Sequence, residues 1–248
     1  MNIRLVGGVI AVALIACGYM LKDQHYNVPS PPPDFSPLGV DTQLQSEPVE
    51  VFRIVKTGFP QEYEKLTEEL SAALQADSDQ VEVARITQNA LTELRRTHAD
   101  AVLAAPQKRL REIIDMSRDL HASVREGAGR VACNRFAVAG PGSLGPALSD
   151  YRESLDLQAS ALLKAIVEGR ASGSTPLQPT TAEGWTAARQ LALSMGANRA
   201  HMDALVSLDQ ENGDLCAGLV SLLQAFAAMD DSLGQRLRAS YVRDLARN

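Results

Sequence analysis

From residue 48 onward, apolar side chains recur at steps of three and four, the spacing that lines one face of an α-helix. Tyr63, Leu66, Leu70, Ala73 and Leu74 form one such stripe behind Pro60, whose fixed φ suits the first helical position. A second stripe runs Val83, Ile86, Ala90, Leu91, Leu94, Ala101, Val102 and Ala105, and Pro106 must end or kink it. It opens at Asp79-x-x-Glu82, which has the form of a capping box with Asp as the cap. Leu110, Ile113, Ile114, Leu120 and Val124 carry a third, closed by Gly127 and Gly129, and Gly140 to Pro146 reads as a turn. Leu148, Tyr151, Leu155, Leu162, Leu163, Ile166 and Val167 form a fourth, ending at Gly169 before a loop from Ser172 to Thr181. Trp185, Ala188, Leu191, Met195, Met202, Leu205 and Val206 mark the next face. After Asn212-Gly213, one long stripe runs Leu215, Leu219, Leu222, Phe226, Met229, Leu233, Leu237, Tyr241 and Leu245. Val49-Glu50-Val51 alternates as a strand would, so residues 51–59 admit a short helix or a short strand.

The pattern predicts an all-α domain over residues 48–248, with five or six amphipathic helices of about 16–30 residues. Such helices cannot bury their stripes alone, so an antiparallel bundle is expected. No repeat of solenoid period is evident in the chain.

The start of the chain has a different character. Met1-Asn2-Ile3-Arg4 is a short positive head, and residues 5–21 (LVGGVIAVALIACGYML) then carry no charge. The run is at the lower limit for a single-pass anchor and has the layout of a signal peptide. Leu14-Ile15-Ala16-Cys17 resembles the bacterial lipobox, which implies cleavage before Cys17 and lipidation of its thiol. Anchor, lipoprotein and plain cleaved signal all place the remaining chain outside the cytosol, because Arg4 holds the start inside. The expected location is therefore a bacterial cell envelope, with the domain in the periplasm. Residues 22–47 form a linker. Within it, Asn27 to Leu38 (NVPSPPPDFSPL) favours extended polyproline II and would span roughly 37 Å as a spacer.

Composition sharpens this picture. Apolar residues are 45% of the chain but aromatics only 4%, so the core must be built of Ala, Leu, Val and Ile, a helix-favouring mixture. A formal charge of −6 makes nucleic acid a poor partner. Acids concentrate in residues 41–82, whereas 106–135 carries Lys108, Arg109, Arg111, Arg118, Arg125, Arg130 and Arg135. Neighbouring acidic and basic helices, or a binding patch, would explain that asymmetry. Cys133 and Cys216 are an even pair for an oxidising compartment and the candidates for a disulfide.

Catalytic patterns are scarce. His98, His121 and His201 lack a Glu three residues before them, and neither His-Glu-x-x-His nor Cys-x-x-Cys occurs. Ser143 has Pro141 where a nucleophile elbow needs Gly. No catalytic, cofactor or metal residue is nominated. The first expectation is a non-catalytic, membrane-tethered interaction or scaffold protein, partnered by another envelope protein or a second copy of itself. The alternatives are an enzyme of unknown class, or a binder of an apolar small molecule or lipid among the helices. For that binder, Met195, Met202, Met229 and Phe226 are the candidate cavity residues.

Overall fold

The computed structural model describes residues 50–76, 78–208, 210–211 and 213–248. The apolar run at 5–21, Cys17 and the linker at 22–47 lie outside the described residues. Every regular element among the described residues is helical. Of these residues, those up to 94 belong to one compact unit and residues 95–248 to another.

In the first unit, α1 (Glu50–Gly58) packs on α2 (Pro60–Gln75). Val51, Phe52, Val55 and Phe59 are buried at helical spacing, so the strand alternative is not adopted. Burial of large side chains at a 3.6-residue period outweighs the local β-preference of two valines. Pro60 occupies the first turn of α2, and the backbone runs through it unbroken, Tyr63 N donating to Phe59 O at 2.9 Å. α3 (Gln80–His98) begins in this unit and ends in the second. Asp79 caps it, its carboxylate accepting from Glu82 N at 2.9 Å. Glu82 does not complete the expected reciprocal box: its carboxylate takes both Nε and Nη2 of Arg85 instead.

The second unit continues from the end of α3 into a 3-10 segment, Ala99–Ala104. It then comprises α4 (Gln107–Gly127), α5 (Arg130–Ala139), a second 3-10 segment (Pro141–Tyr151), α6 (Arg152–Ala171), α7 (Ala182–Ser194), α8 (Arg199–Ser207), α9 (Leu215–Ala228) and α10 (Ser232–Arg247). The centre is α9, which is apolar almost all round. Leu215, Leu219, Leu222, Leu223 and Phe226 are each at most 4% exposed. A helix apolar on all sides must be surrounded, and α9 packs against α4, α5, α7, α8 and α10.

Two glycines set how closely elements approach. A Cβ on Gly218 of α9 would sit 2.3 Å from the His201 carbonyl oxygen of α8. One on Gly169 of α6 would sit 2.0 Å from the Ala101 carbonyl oxygen of the first 3-10 segment. Neither backbone contact leaves space for a side chain.

The helices are shorter than the stripes suggested. The run from Leu215 to Leu245 is two helices, parted at Met229–Asp231, where Asp231 caps α10 by accepting from Gly234 N at 2.8 Å. The run from Trp185 to Val206 is also two. The break at residues 195–198 holds Gly196 at φ 94°, a conformation glycine adopts without cost. Asn198 then caps α8 through Ala200 N. Beyond His98 the second stripe tightens to 3-10, and Pro106 becomes the residue that leads into α4.

The four arginines of α4 are paired within this unit. Arg109 pairs with Glu112 and, at 2.8 Å, with Glu168 of α6. Arg111 pairs with Asp230, and Arg118 with Asp115 and Asp119. Arg125 meets Asp214, the cap of α9, at 2.7 Å. The α10 carboxyl end is served similarly: the Leu245 carbonyl accepts from Arg95 and the Arg247 carbonyl from Arg96. The loop between α6 and α7 is pinned by Leu177 N to Leu103 O and by Thr180 N to the Ser240 hydroxyl.

Candidate functional site

Three constellations in the second unit combine polar chemistry with burial. The first surrounds the cysteines. Cys133 on α5 and Cys216 in the first turn of α9 are both fully buried, with Cα atoms 5.8 Å apart and sulfurs at bonding distance. That separation is the usual one for a disulfide, and the residues are the pair expected from the sequence. Both sulfurs lie beside the His121 carbonyl, at 3.1 and 3.5 Å. Asn134, next to Cys133, organises the approach to α9. Its amide donates to Gln210 O and Gly213 O, and its oxygen accepts from Cys216 N. Arg130 adds two bonds to the Glu211 and Gly213 carbonyls. The constellation is a clamp that fixes where α9 begins.

The second is a polar knot between α4, α6 and α10. The Ser117 hydroxyl accepts from Gln158 Nε2 at 2.7 Å and lies beside the Tyr241 phenol. His121 Nδ1 stands 2.7 Å from the Ser117 carbonyl, so that nitrogen carries the proton of a neutral ring. The ring rests on Phe136, centroids 4.7 Å apart. Burial holds the imidazole down to about 4 against the pull of the Ser117 carbonyl, and pushes the Tyr241 phenol up to about 12. These groups are buried in the unit's interior. Arg238 is a further buried group, with Nη1 donating to the Phe226 and Met229 carbonyls and Nε to Gln107. It tethers the carboxyl end of α9. Among the described residues no group of three His, Cys, Asp or Glu side chains gathers as a metal site.

The third is a cleft of about 170 Å³ where α7 and α8 rest on α9. Ala182, Trp185, Thr186 and Arg189 line it from α7, Met202, Leu205 and Val206 from α8, and Leu222 forms part of its floor. The sequence dictates this arrangement. On α7, only Gly184, Ala188 and Ala192 are buried, a stripe of small residues that lies close on its neighbours. A Cβ on Gly184 would meet the Thr180 hydroxyl at 2.1 Å. The larger Trp185 and Arg189 flank that stripe and stand on the cleft side. Trp185 is braced edge-on against Phe226, which is braced in turn on Tyr241, with centroids 5.5 and 6.1 Å apart. Arg189 pairs with Asp203 of α8, while its Nε is buried without a hydrogen-bond partner.

Of the four candidate cavity residues, the structure brings only Met202 to the cleft. Met195 is 44% exposed at the end of α7, and Phe226 stands behind Trp185 in the core. Met229 lies past the end of α9, where its carbonyl serves Arg238. Sequence reasoning missed Trp185 and Arg189 as cleft residues. Trp185 had a signal, as the chain's single tryptophan at the head of the α7 stripe. Arg189 had none, because its partner lies on another helix. No family model, no curated protein and no solved structure matches the chain.

Proposed function

We propose that this chain is a non-catalytic binding module, tethered on the outer face of a bacterial inner membrane, whose helical domain holds a small apolar molecule between α7, α8 and α9. The observation that carries the binding reading is the cleft itself. An indole, a thioether and four aliphatic side chains converge there, beside a threonine and an arginine. Apolar walls with few polar groups are the general form of a small-molecule site. The size selects the ligand: about 170 Å³ is close to the roughly 150 Å³ that accepts benzene in an engineered apolar cavity. It falls short of the roughly 300–1,000 Å³ of sites for larger molecules. One ring, or a short branched chain, is the ligand class. The tether reading rests on the uncharged run at 5–21 and the prolines beyond it.

Trp185 makes the test direct, since it is the only tryptophan and lines the cleft. Iodobenzene is a single-ring probe whose iodine quenches indole emission on contact. With the full chain and the aqueous probe concentration fixed through the vapour phase, Trp185 emission should fall saturably, and benzene should restore it by competition. Val206→Phe, which fills the cleft from α8, should abolish the saturable part. Quenching that rises linearly with probe and ignores benzene would overturn the reading.

A further inference from the structure

We infer that Arg189 is a gate over this cleft, closed by its ion pair with Asp203 and opened when that pair lets go. The inference rests on the cleft reading and concerns how a ligand enters. α7 and α8 are consecutive helices joined through residues 195–198, and each is seated separately on α9. Gly218 fixes α8 against α9, whereas α7 is held by its small-residue stripe. Arg189 lies in the cleft wall and reaches Asp203 on the opposite helix, so this pair bridges the two.

The closed state is weakly held. The side chains of Arg189 and Asp203 are 35% and 58% exposed, and pairs so open to water gain little. Closure also buries Nε without an acceptor, which costs hydration that nothing returns. The two effects oppose one another, so a modest change at Asp203 shifts the balance. Opening needs only rotation of a long, flexible side chain, with α7 and α8 left in place on α9. It returns Nε to water and gives access to Trp185 and Met202 inside the cleft.

The experiment is stopped-flow quenching of Trp185 by iodobenzene in the full chain. Asp203→Asn removes the anionic partner from an exposed position and should raise the association rate two- to fivefold, with the quenching at saturation unchanged. Asp203→Glu should restore a rate near that of the parent. Raising salt should speed the parent and leave Asp203→Asn unaffected, because only the parent has an exposed pair to screen. Circular dichroism verifies that the variants are folded. Equal, salt-independent rates in parent and Asp203→Asn, with saturable quenching intact, would overturn the gate and leave the cleft reading standing. Absence of saturable quenching in every protein would overturn both.

Discussion

At the scale of single residues, the strongest commitments are the buried ionisable groups. His121 is neutral in the folded chain, and burial holds its pKa at about 4 against 6.5 for an ordinary imidazole. Between those values the unfolded chain binds a proton that the folded chain does not. Stability is therefore intact above about pH 6.5 and is lost as the pH falls toward 4, by on the order of 3 kcal/mol when complete. Asp156 works in the opposite sense. Burial raises its carboxyl to about 6, so between 3.8 and 6 the folded state holds the extra proton and stability declines as pH rises. His121→Gln should flatten or invert the acid slope of a denaturation series between pH 4 and 6.5. An unchanged slope would mean the imidazole is not the group responsible.

At the scale of elements, close approaches and caps decide where helices lie and stop. Gly218→Ala would drive a methyl into the His201 carbonyl, and backbone cannot yield cheaply. Overpacking of this kind costs about 1–3 kcal/mol, measurable as a lower urea midpoint at unchanged m-value. Asp214→Ala should cost about 1–2 kcal/mol, since it removes the bond to Ala217 N and the partner of Arg125. Its deficit relative to the parent should shrink in acid. Burial pushes the Asp214 carboxyl up, but Arg125 and the Ala217 amide hold it below its ordinary value, so its contribution lapses as pH falls through that lowered value. The helical nature of most elements was legible from three- and four-residue spacing, as were the starts at Pro60 and Asp79, but α5 was not read from the sequence and residues 51–59 left a strand open. The breaks at 195–198 and 229–231 were not, because an apolar stripe can resume in phase across a short interruption. Asp231 and Asn198 were the available signals, each a good cap inside an otherwise continuous pattern. The cleft was half legible for the same reason. Met202 and Trp185 belonged to one visible stripe, but the break that sets them on opposite walls did not show. The pairing of Arg189 with Asp203 exists only once α7 and α8 are both seated on α9.

At the scale of the whole molecule, compartment and cross-link make a joined prediction. A bond between Cys133 and Cys216 closes a loop across 83 positions, ties α5 to α9, and so holds the start of the helix around which the second unit packs. In the chain-entropy picture, closing a loop of that length stabilises by about 4–5 kcal/mol, a large fraction of what a domain this size possesses. Such a bond persists only where the surroundings are oxidising. The proposed export by residues 5–21 supplies those surroundings. Three results should therefore change together. A phosphatase active only outside the cytosol should work when fused after Asn248. Intact mass under non-reducing conditions should fall about 2 Da below that of the reduced chain, the two hydrogens lost when Cys133 and Cys216 join. The Cys133→Ala, Cys216→Ala double variant should lose about 2–5 kcal/mol in urea denaturation. Deleting residues 1–21 should silence the phosphatase and return the reduced mass, because the chain then stays among reducing thiols. An inactive phosphatase on the intact chain, with both thiols free, would remove export and cross-link together. The cleft on α7, α8 and α9 would still stand, since its walls meet through apolar packing that neither compartment nor disulfide creates.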